Sequence, residues 1–311
     1  MEEEDNIAVL DNGGVDKFGI EKLYPTKTDG GGEEWYMNML NPLDNERFQP
    51  INTILNKTLD PFYTLTKNTY DVGSWKITST TPDTKVRMHV FTSTGYNQSK
   101  ITTYNHSELA SKGYMQSPDD WKNIEMTGYV KLNNDNFDSN EKFQWFNRGG
   151  IHYTSTEPNS QPCEGVGYKG NLFYSGDDVR FAKEQWHVSY EFTEKKKLKA
   201  AGTDSSSIEG KWIGYKFVVY NIEENDDDNG KKTVVKMENW LDMDNDGKDW
   251  VKVDEYLDDG GWGDKGEECG GESDQIITWG GPVATFRWDN ARDVDFKNLS
   301  VREIEVLKQV S

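Results

Sequence analysis

The chain has 311 residues, and its 35 lysines and arginines against 55 aspartates and glutamates give a net charge of −20. That charge argues against a nucleic-acid partner, because phosphate recognition needs basic patches, and against docking on anionic lipid. Aromatic residues make up 13% of the chain, which is unlike an acidic disordered protein. No apolar run approaches the roughly 18 residues of a membrane span.

Residues 1–16 are acidic and broken by glycines, so we expect a flexible N-terminus there and a single domain over residues 17–311. Within that domain, apolar or alternating runs of strand length recur between turn signals. They lie at 72–80, 85–92, 121–132, 142–153, 165–174, 180–192, 211–222, 233–241, 249–257, 275–286 and 297–306. A short helix is expected near 193–201. The pattern predicts an all-β fold, a two-sheet antiparallel β-sandwich.

The run 185–192 alternates, which assigns its side chains to two faces. Trp186 and Phe192 are expected to face the core. Gln185 and His187 are then expected to face away from it.

The run 143–153 is interpreted in the same way, with its aromatic and aliphatic residues toward the core. Arg148 and His152 fall on the opposite side. If the two runs are near neighbours in one sheet, about 4.8 Å apart per strand, these residues converge with Gln185 and His187 in one groove.

Several stretches of the chain resemble the concanavalin A-like lectin/glucanase superfamily, whose fold is a two-sheet jelly roll with a concave polysaccharide groove. The stretches that carry the resemblance are 107–113 with 121–131, 211–216 with 235–242, and 294–301. The resemblance implies a jelly roll that acts on, or binds, a polysaccharide.

Two short motifs are similar to those of the polysaccharide lyases of this superfamily, alginate lyases among them. Gln185 and His187 have the Q-x-H spacing, and residues 168–171 read Tyr-Lys-Gly-Asn. The arginine triplet of those lyases has no counterpart here. The alternating acids of the superfamily's glycoside hydrolases are also missing, whereas a retaining hydrolase needs two carboxylates about 5–5.5 Å apart. The resemblance therefore implies a lyase that cleaves a uronate-containing glycan by β-elimination.

β-Elimination needs a group that neutralises the carboxylate, a base for the neighbouring proton and an acid for the leaving oxygen. The candidates for these roles, in that order, are Gln185 or Arg148, His187 or His152, and Tyr168 or Tyr129. The alternative for each histidine is a hydrogen-bonded structural residue.

Four further residues are candidates for substrate binding. Glu125 and Lys131 lie on the polar side of the run 124–132, and Trp240 and Trp262 lie in or beside glycine-rich loops. Exposed indoles stack on sugar rings, and Trp262 is the one that we expect to be exposed. The alternative is that these tryptophans belong to the core.

The segment 242–249 reads as the first half of a calcium loop, in which alternate oxygens converge on a hard cation. The candidate ligands are Asp242, Asp244, Asp246 and Asp249. The alternative is a solvated hairpin turn, for which Asn-Asp-Gly is well suited.

N-x-S/T sequons begin at Asn56, Asn97, Asn105 and Asn298, and together with the composition they favour an extracellular or cell-surface location. We expect Cys163 and Cys269 to be paired if the protein is secreted.

The sequence favours a secreted polysaccharide lyase with a polysaccharide as its partner and calcium as a candidate ion. The alternatives are a non-catalytic, lectin-like glycan-binding module of the same fold and a cell-surface structural protein. The oligomeric state stays open.

Overall fold

The computed structural model describes residues 14–28, 32–43, 47–49, 63–79, 85–92, 121–133, 141–149, 166–185, 189–198, 208–226, 230–269, 272–281 and 283–306. These residues form two antiparallel sheets, which confirms the predicted all-β sandwich. Within them there is a short 3₁₀ turn at Gly266–Cys269 and no α-helix. None of their helical turns is long and apolar enough to cross a membrane.

Sixteen strands are present in the described part of the chain. In chain order they are β1 (Glu34–Tyr36), β2 (Phe48–Gln49), β3 (Tyr63–Lys67), β4 (Trp75–Ser79), β5 (Lys85–Phe91), β6 (Ile124–Leu132), β7 (Lys142–Gly149), β8 (Gly167–Phe173), β9 (Asp178–Gln185), β10 (Ser189–Phe192), β11 (Lys196–Lys197), β12 (Ile213–Asp226), β13 (Gly230–Asp242), β14 (Val251–Asp258), β15 (Val283–Asp289) and β16 (Asp293–Glu303).

The strands divide into two sheets. The first sheet has the order β14-β13-β12-β6-β16-β4-β3, with β1 also paired to β16. The second has the order β10-β9-β8-β7-β15-β5-β2, with β11 also paired to β9. Neighbouring strands are far apart in sequence at several places, such as β6 beside β16, so both sheets depend on long-range pairing.

One large aromatic and aliphatic core fills the space between the sheets. The alternation of β6 is as predicted, because Ile124, Met126 and Val130 all point into this core. Gly128 shares their face at a point of close approach. A Cβ there would lie 2.4 Å from Leu299 Cδ2, so a larger residue would push β6 away from β16.

The outer face of the first sheet is covered by the N-terminal segment 14–26. Ile20 packs against Tyr129 and Trp250, and Tyr24 packs against Tyr220. The start of this segment is held by Asp16, whose carboxylate accepts hydrogen bonds from the backbone N–H groups of residues 18 and 20. This face is therefore closed by the chain itself.

The interval 180–201 differs from its predicted structure. We expected one strand through residue 192 and then a helix. Instead β9 and β10 pair antiparallel, with Gln185 opposite Ser189, and β11 follows. The change of strand restarts the alternation, so the faces predicted for 185–192 do not hold.

Candidate functional site

Arg148 points into the molecule and not onto the outer face where we expected it. Its backbone φ is 61°, at the end of β7 where the pairing with β15 shifts register. The guanidinium is fully buried and donates to Lys122 O at 3.0 Å, Ile277 O at 2.5 Å and Asn123 Oδ1 at 3.3 Å. Burial lowers the pKa of Arg148 to about 10. The irregularity reverses the face that simple alternation predicted.

Gln185 also lies on the inner side of its sheet, contrary to the prediction. It shares a face with Phe181 and Lys183 of β9, and Phe181 belongs to the core. Its side chain is 1% exposed, and Nε2 donates to Ser273 O at 3.1 Å. Phe192, which we expected in the core, is 45% exposed.

Tyr168 is a structural contact between the sheets. Its hydroxyl donates to Asp258 Oδ2 at 2.5 Å and accepts from the Ile277 N–H at 3.0 Å. Lys183 Nζ lies 2.8 Å from the same Asp258 oxygen and donates to Trp262 O at 2.7 Å. Burial, followed by the Asp258 charge, raises the pKa of Tyr168 well above its ordinary value.

These interactions share one partner, the loop 259–281 that connects β14 to β15. Arg148 and Tyr168 bind its backbone at Ile277, and Gln185 binds it at Ser273. The residues whose types suggested catalysis therefore hold this loop against the interior of the sandwich. The donors of Arg148, Tyr168 and Gln185 are used within the protein, whereas Gln185 Oε1 has no hydrogen-bond partner among the described residues.

The remaining candidate acid, Tyr129, belongs to the other sheet. It lies on the outer face of β6, beneath the N-terminal segment, and donates to Asp242 Oδ2 at 2.6 Å. Burial, followed by this hydrogen bond, raises the pKa of Tyr129 above its ordinary value. Tyr129 and Tyr168 thus lie on different sheets and do not share a site.

Asp242 organises a turn and does not gather the predicted calcium ligands around it. Its carboxylate accepts from the backbone N–H groups of Asp244, Asn245 and Gly247 at 2.8–3.0 Å as well as from Tyr129. Asp244, Asp246 and Asp249 are exposed. Within the described ranges, no three acidic, histidine or cysteine side chains are grouped as a metal site requires. The contacts of Asp242 fit the hairpin turn, and calcium binding at this segment stays a prediction.

The predicted substrate-binding residues are dispersed. Glu125 is buried in an ion-pair cluster, with Lys216 at 2.5 Å and Arg302 at 2.8 Å. Lys131 Nζ lies 3.7 Å from Asp71 Oδ2, with which it forms an ion pair.

The two tryptophans are also in structural positions. Trp240 donates to Glu238 at 2.9 Å. Trp262 is 8% exposed, contrary to the expectation that it is exposed, and stacks on Tyr168 with ring centroids 6.1 Å apart.

His187, His152 and Cys163 lie outside the described residues, as does the stretch 107–113. The convergence predicted for the histidines is therefore untested. β7 and β9 are in the same sheet, separated by β8.

A different set of polar residues occupies the outer face of the second sheet. Five of them are cross-strand partners in one continuous line, which we call the donor row: Arg87 on β5, Arg287 on β15, Gln144 on β7, Asn171 on β8 and Arg180 on β9. The row contains three guanidinium and two amide groups and no carboxylate. On a protein of charge −20, this is a local concentration of hydrogen-bond donors.

Two members of the donor row have unsatisfied polar atoms. Asn171 is fully buried, and neither its Oδ1 nor its Nδ2 has a hydrogen-bond partner. The Nε of Arg180 has none either, and its guanidinium lies over the rings of Phe173 and Phe192 at 5.2 and 3.9 Å. Buried polar groups are paired in most proteins, so orphaned groups call for an explanation.

Charged and aromatic residues flank the donor row. Lys169, on the same face of β8 as Asn171, forms an ion pair with Glu184 at 2.6 Å, and its Nζ lies 4.6 Å from the ring centroid of Tyr190. Arg287 forms a bidentate pair with Asp289. Burial opposes the charge of Arg287, but Asp289 holds its pKa above the ordinary value. Together these groups supply cations, amides and a phenol on one surface.

The sequence contained part of this signal. Lys169 and Asn171 belong to the Tyr-Lys-Gly-Asn motif, but the motif predicts a catalytic role only for Tyr168. The structure places Tyr168 inward, which requires Lys169 and Asn171 to point outward. Arg87 and Arg287 carried no motif, and only strand pairing brings them together.

Comparison with known proteins gives similarity in structure alone. No family model matches the chain, and no curated protein matches it in sequence. Similar solved structures include a carbohydrate-binding module, CBM66, from Bacillus subtilis, with 9% identity, a TM-score of 0.37 and coverage of 82% of this chain and 94% of that one.

Two further solved structures are similar at the same level. The VIP36 exoplasmic/lumenal domain, in its Ca2+/Man3GlcNAc-bound form, has 8% identity, a TM-score of 0.42 and coverage of 80% and 85% of the two chains. Arcelin-5, a lectin-like defense protein from Phaseolus vulgaris, has 8% identity, a TM-score of 0.41 and coverage of 87% and 97%.

Proposed function

We propose that the protein binds an acidic polysaccharide on the outer face of the second sheet. The donor row is the observation that carries this proposal. Guanidinium and amide groups are the natural partners of sugar carboxylates, because they present N–H donors in fixed, planar arrangements. Asn171 and Arg180 have N–H groups with no hydrogen-bond partner among the described residues.

The dimensions of the donor row suit an oligomer and not a single small anion. It crosses β5, β15, β7, β8 and β9, a width of roughly 19 Å at the usual strand spacing. Its edge at β10 is exposed, with Tyr190 39% and Phe192 45% accessible. A polymer lying across the strands would contact these aromatic rings and Arg180 first, and it would reach the fully buried Asn171 amide only by displacing the groups over it.

Cleavage of the bound polymer by β-elimination is the second candidate function. The contact between Tyr190 and Lys169 favours it, since a cation beside a phenol stabilises the phenolate that takes a proton. In that reaction, Asn171 and Gln144 would bind the uronate carboxylate. The Tyr190 phenolate would remove the proton from the carbon next to the carboxylate, and a carbon–carbon double bond would form as the glycosidic C–O bond breaks. The Tyr190 phenol formed in this way would then return the proton to the departing oxygen. No step of this proposal requires a metal ion at the Asp242 turn.

We place this function outside the cell, where acidic polysaccharides are abundant and where the sequons of the chain would be used. Acidic glycans carry their charge on every repeat, so the interaction would be multivalent and sensitive to salt.

A binding panel tests the proposal. Isothermal titration with polyuronates and sulfated glycans, beside neutral glucans, should show binding of one or more acidic polymers and none of the neutral polymers on this face. Absorbance near 235 nm, where elimination creates an unsaturated product, then separates the lyase from the binding module. Failure of every acidic polymer to bind would refute the proposed function.

A further inference from the structure

A cleft of about 490 Å³ opens at the edge of the sandwich, where the two sheets end. β14 of the first sheet forms one wall, and the segment 192–196, which runs from the end of β10 to the start of β11, forms the other. The lining residues used below are Lys195, Lys196, Asp254, Glu255, Tyr256 and Trp262. Its volume lies within the range of about 300–1,000 Å³ that is typical of small-molecule sites.

Two aromatic residues give the cleft its apolar surface. Tyr256 and Trp262 are packed edge to face, with ring centroids 4.8 Å apart. The Nε1 of Trp262 is buried and has no hydrogen-bond partner. An aromatic wall with an unused N–H donor is the combination that binds a ring bearing hydroxyl groups.

Three charged residues of the cleft, Lys196, Asp254 and Glu255, are ion-paired within the protein, whereas the Glu194 carboxylate of the same lining is exposed. Lys196 lies 3.5 Å from Asp254. Glu255 accepts from Lys252 at 2.6 Å and lies 3.2 Å from Lys236. The Nζ of Lys195 lies 4.1 Å from the ring centroid of Phe173, outside the cleft. An ionic ligand that bonds Lys196, Asp254 or Glu255 would have to break these pairs, whereas a neutral ligand would not.

We infer that this cleft binds a neutral sugar unit. The ring of the sugar lies against Tyr256, and its hydroxyl groups bond the Asp254–Lys196 pair and the Trp262 N–H. The donor row lies on the outer face of the second sheet and adjoins this cleft at Phe192, which lines the cleft and lies under the Arg180 guanidinium. Asn171 of the row is not a lining residue of the cleft, so the two sites can be tested separately.

The test uses NMR of the full chain with a panel of glucose, galactose, mannose, N-acetylglucosamine and their common disaccharides. The Nε1–H signal of Trp262 is assigned by its loss in Trp262→Phe. At least one panel sugar should shift this signal on titration. If none does so at millimolar concentration, the inference is wrong.

The variants locate the binding. Trp262→Phe should weaken the sugar about tenfold, as expected for one lost hydrogen bond. Trp240→Phe is the matched control, because the Trp240 N–H already donates to Glu238 outside the cleft. Tyr256→Ala, on the edge strand β14, should abolish sugar binding. It provides a second test of the cleft if Trp262→Phe does not fold. Wild-type affinity in both cleft variants would also overturn the inference.

The two proposals fail separately. Asn171→Leu should leave neutral-sugar binding unchanged, since Asn171 is on the outer face of β8 and not in the cleft. Loss of neutral-sugar binding in that variant would place the sugar on the donor row and refute the cleft.

Discussion

Tyr168 on β8 and Asp258 on β14 join the two sheets through a 2.5 Å hydrogen bond across the interior. Lys183 lies 2.8 Å from the same carboxylate oxygen, and the side chains of Lys183 and Asp258 are both 0% exposed. A buried ion pair is favourable only when its remaining donors and acceptors are satisfied. Here the Tyr168 hydroxyl donates to Asp258, and the Lys183 ammonium donates to the carbonyl oxygens of Trp262 and Asp274.

Replacing Lys183 with methionine should therefore destabilise the fold strongly. The variant leaves the Asp258 carboxylate buried without its cation, with only the hydrogen bonds from Tyr168 and the Gly260 N–H, for which a cost of about 3–5 kcal/mol is usual. Urea unfolding followed by tryptophan fluorescence measures the change. Lys197→Met is the control, because Lys197 pairs with Asp178 at an exposed position, and its unfolding midpoint should not move. Equal midpoints for the two variants would contradict the assigned role of Lys183.

Acid sensitivity should trace in part to Glu125. Burial alone would raise the pKa of this carboxyl, but Lys216 and Arg302 hold it below its ordinary value of 4.5. A lowered pKa in the folded state stabilises the protein at pH above the ordinary value, and the contribution is lost as pH falls through the folded value. The Glu125 contribution is therefore complete at neutral pH and declines below 4.5.

Glu125→Gln makes that contribution measurable. At about pH 7 the variant should be less stable by about 3–5 kcal/mol, because two buried cations lose their partner. The gap to the wild type should narrow as the pH falls toward about 3. Glu267→Gln, at an exposed position, should match the wild type throughout. A gap that stays constant with pH would show that Glu125 does not titrate as proposed.

The Asp242 turn gives a prediction about calcium. Asp242→Asn keeps the shape of the side chain but places an N–H₂ group where three backbone N–H groups and the Tyr129 hydroxyl donate. We expect a loss of about 1–3 kcal/mol from the unpaired donors. The loss should be the same with millimolar CaCl₂ or EDTA in differential scanning calorimetry. A wild-type melting temperature that rises with calcium, and does not rise in the variant, would restore the metal-site interpretation.

The fold followed from the sequence because alternation determines which side of a strand is apolar, and β6 shows this residue by residue. The site did not follow, for reasons visible in single residues. A positive φ turned Arg148 inward, and a strand exchange after Gln185 restarted the alternation. Ile277 lies in an apolar run that predicts a strand. Its backbone instead forms hydrogen bonds with the side chains of Tyr168 and Arg148.

Strand order was the other missing information. Arg87 and Arg287 are 200 residues apart in sequence, and the pairing of β5 with β15 makes them cross-strand neighbours. Composition and periodicity contain nothing about such pairing, because register between distant strands depends on the whole sheet. The donor row is therefore a property of the topology and not of any local motif.

Asn171 allows the proposed function to be separated from folding. Its buried amide has no partner, so it costs the protein the desolvation of two polar atoms. Asn171→Leu should leave the free energy of unfolding unchanged or raise it by about 1 kcal/mol. Asn239→Leu is the matched control on the inner side of the other sheet. Asn239 accepts from Tyr215 at 2.8 Å, so the same substitution should destabilise there.

Asn171→Leu should weaken binding of the acidic polymer, although it does not destabilise the fold. If the Asn171 amide contacts the sugar carboxylate, Asn171→Leu should weaken the acidic polymer about tenfold, the value of one charge-assisted hydrogen bond. The wild-type affinity should also fall as NaCl is raised, because exposed charges at the edge of the donor row are screened. Titration calorimetry at two salt concentrations measures both effects. A more stable Asn171→Leu that still binds the polymer at wild-type affinity would show that the orphaned amide has no part in glycan recognition.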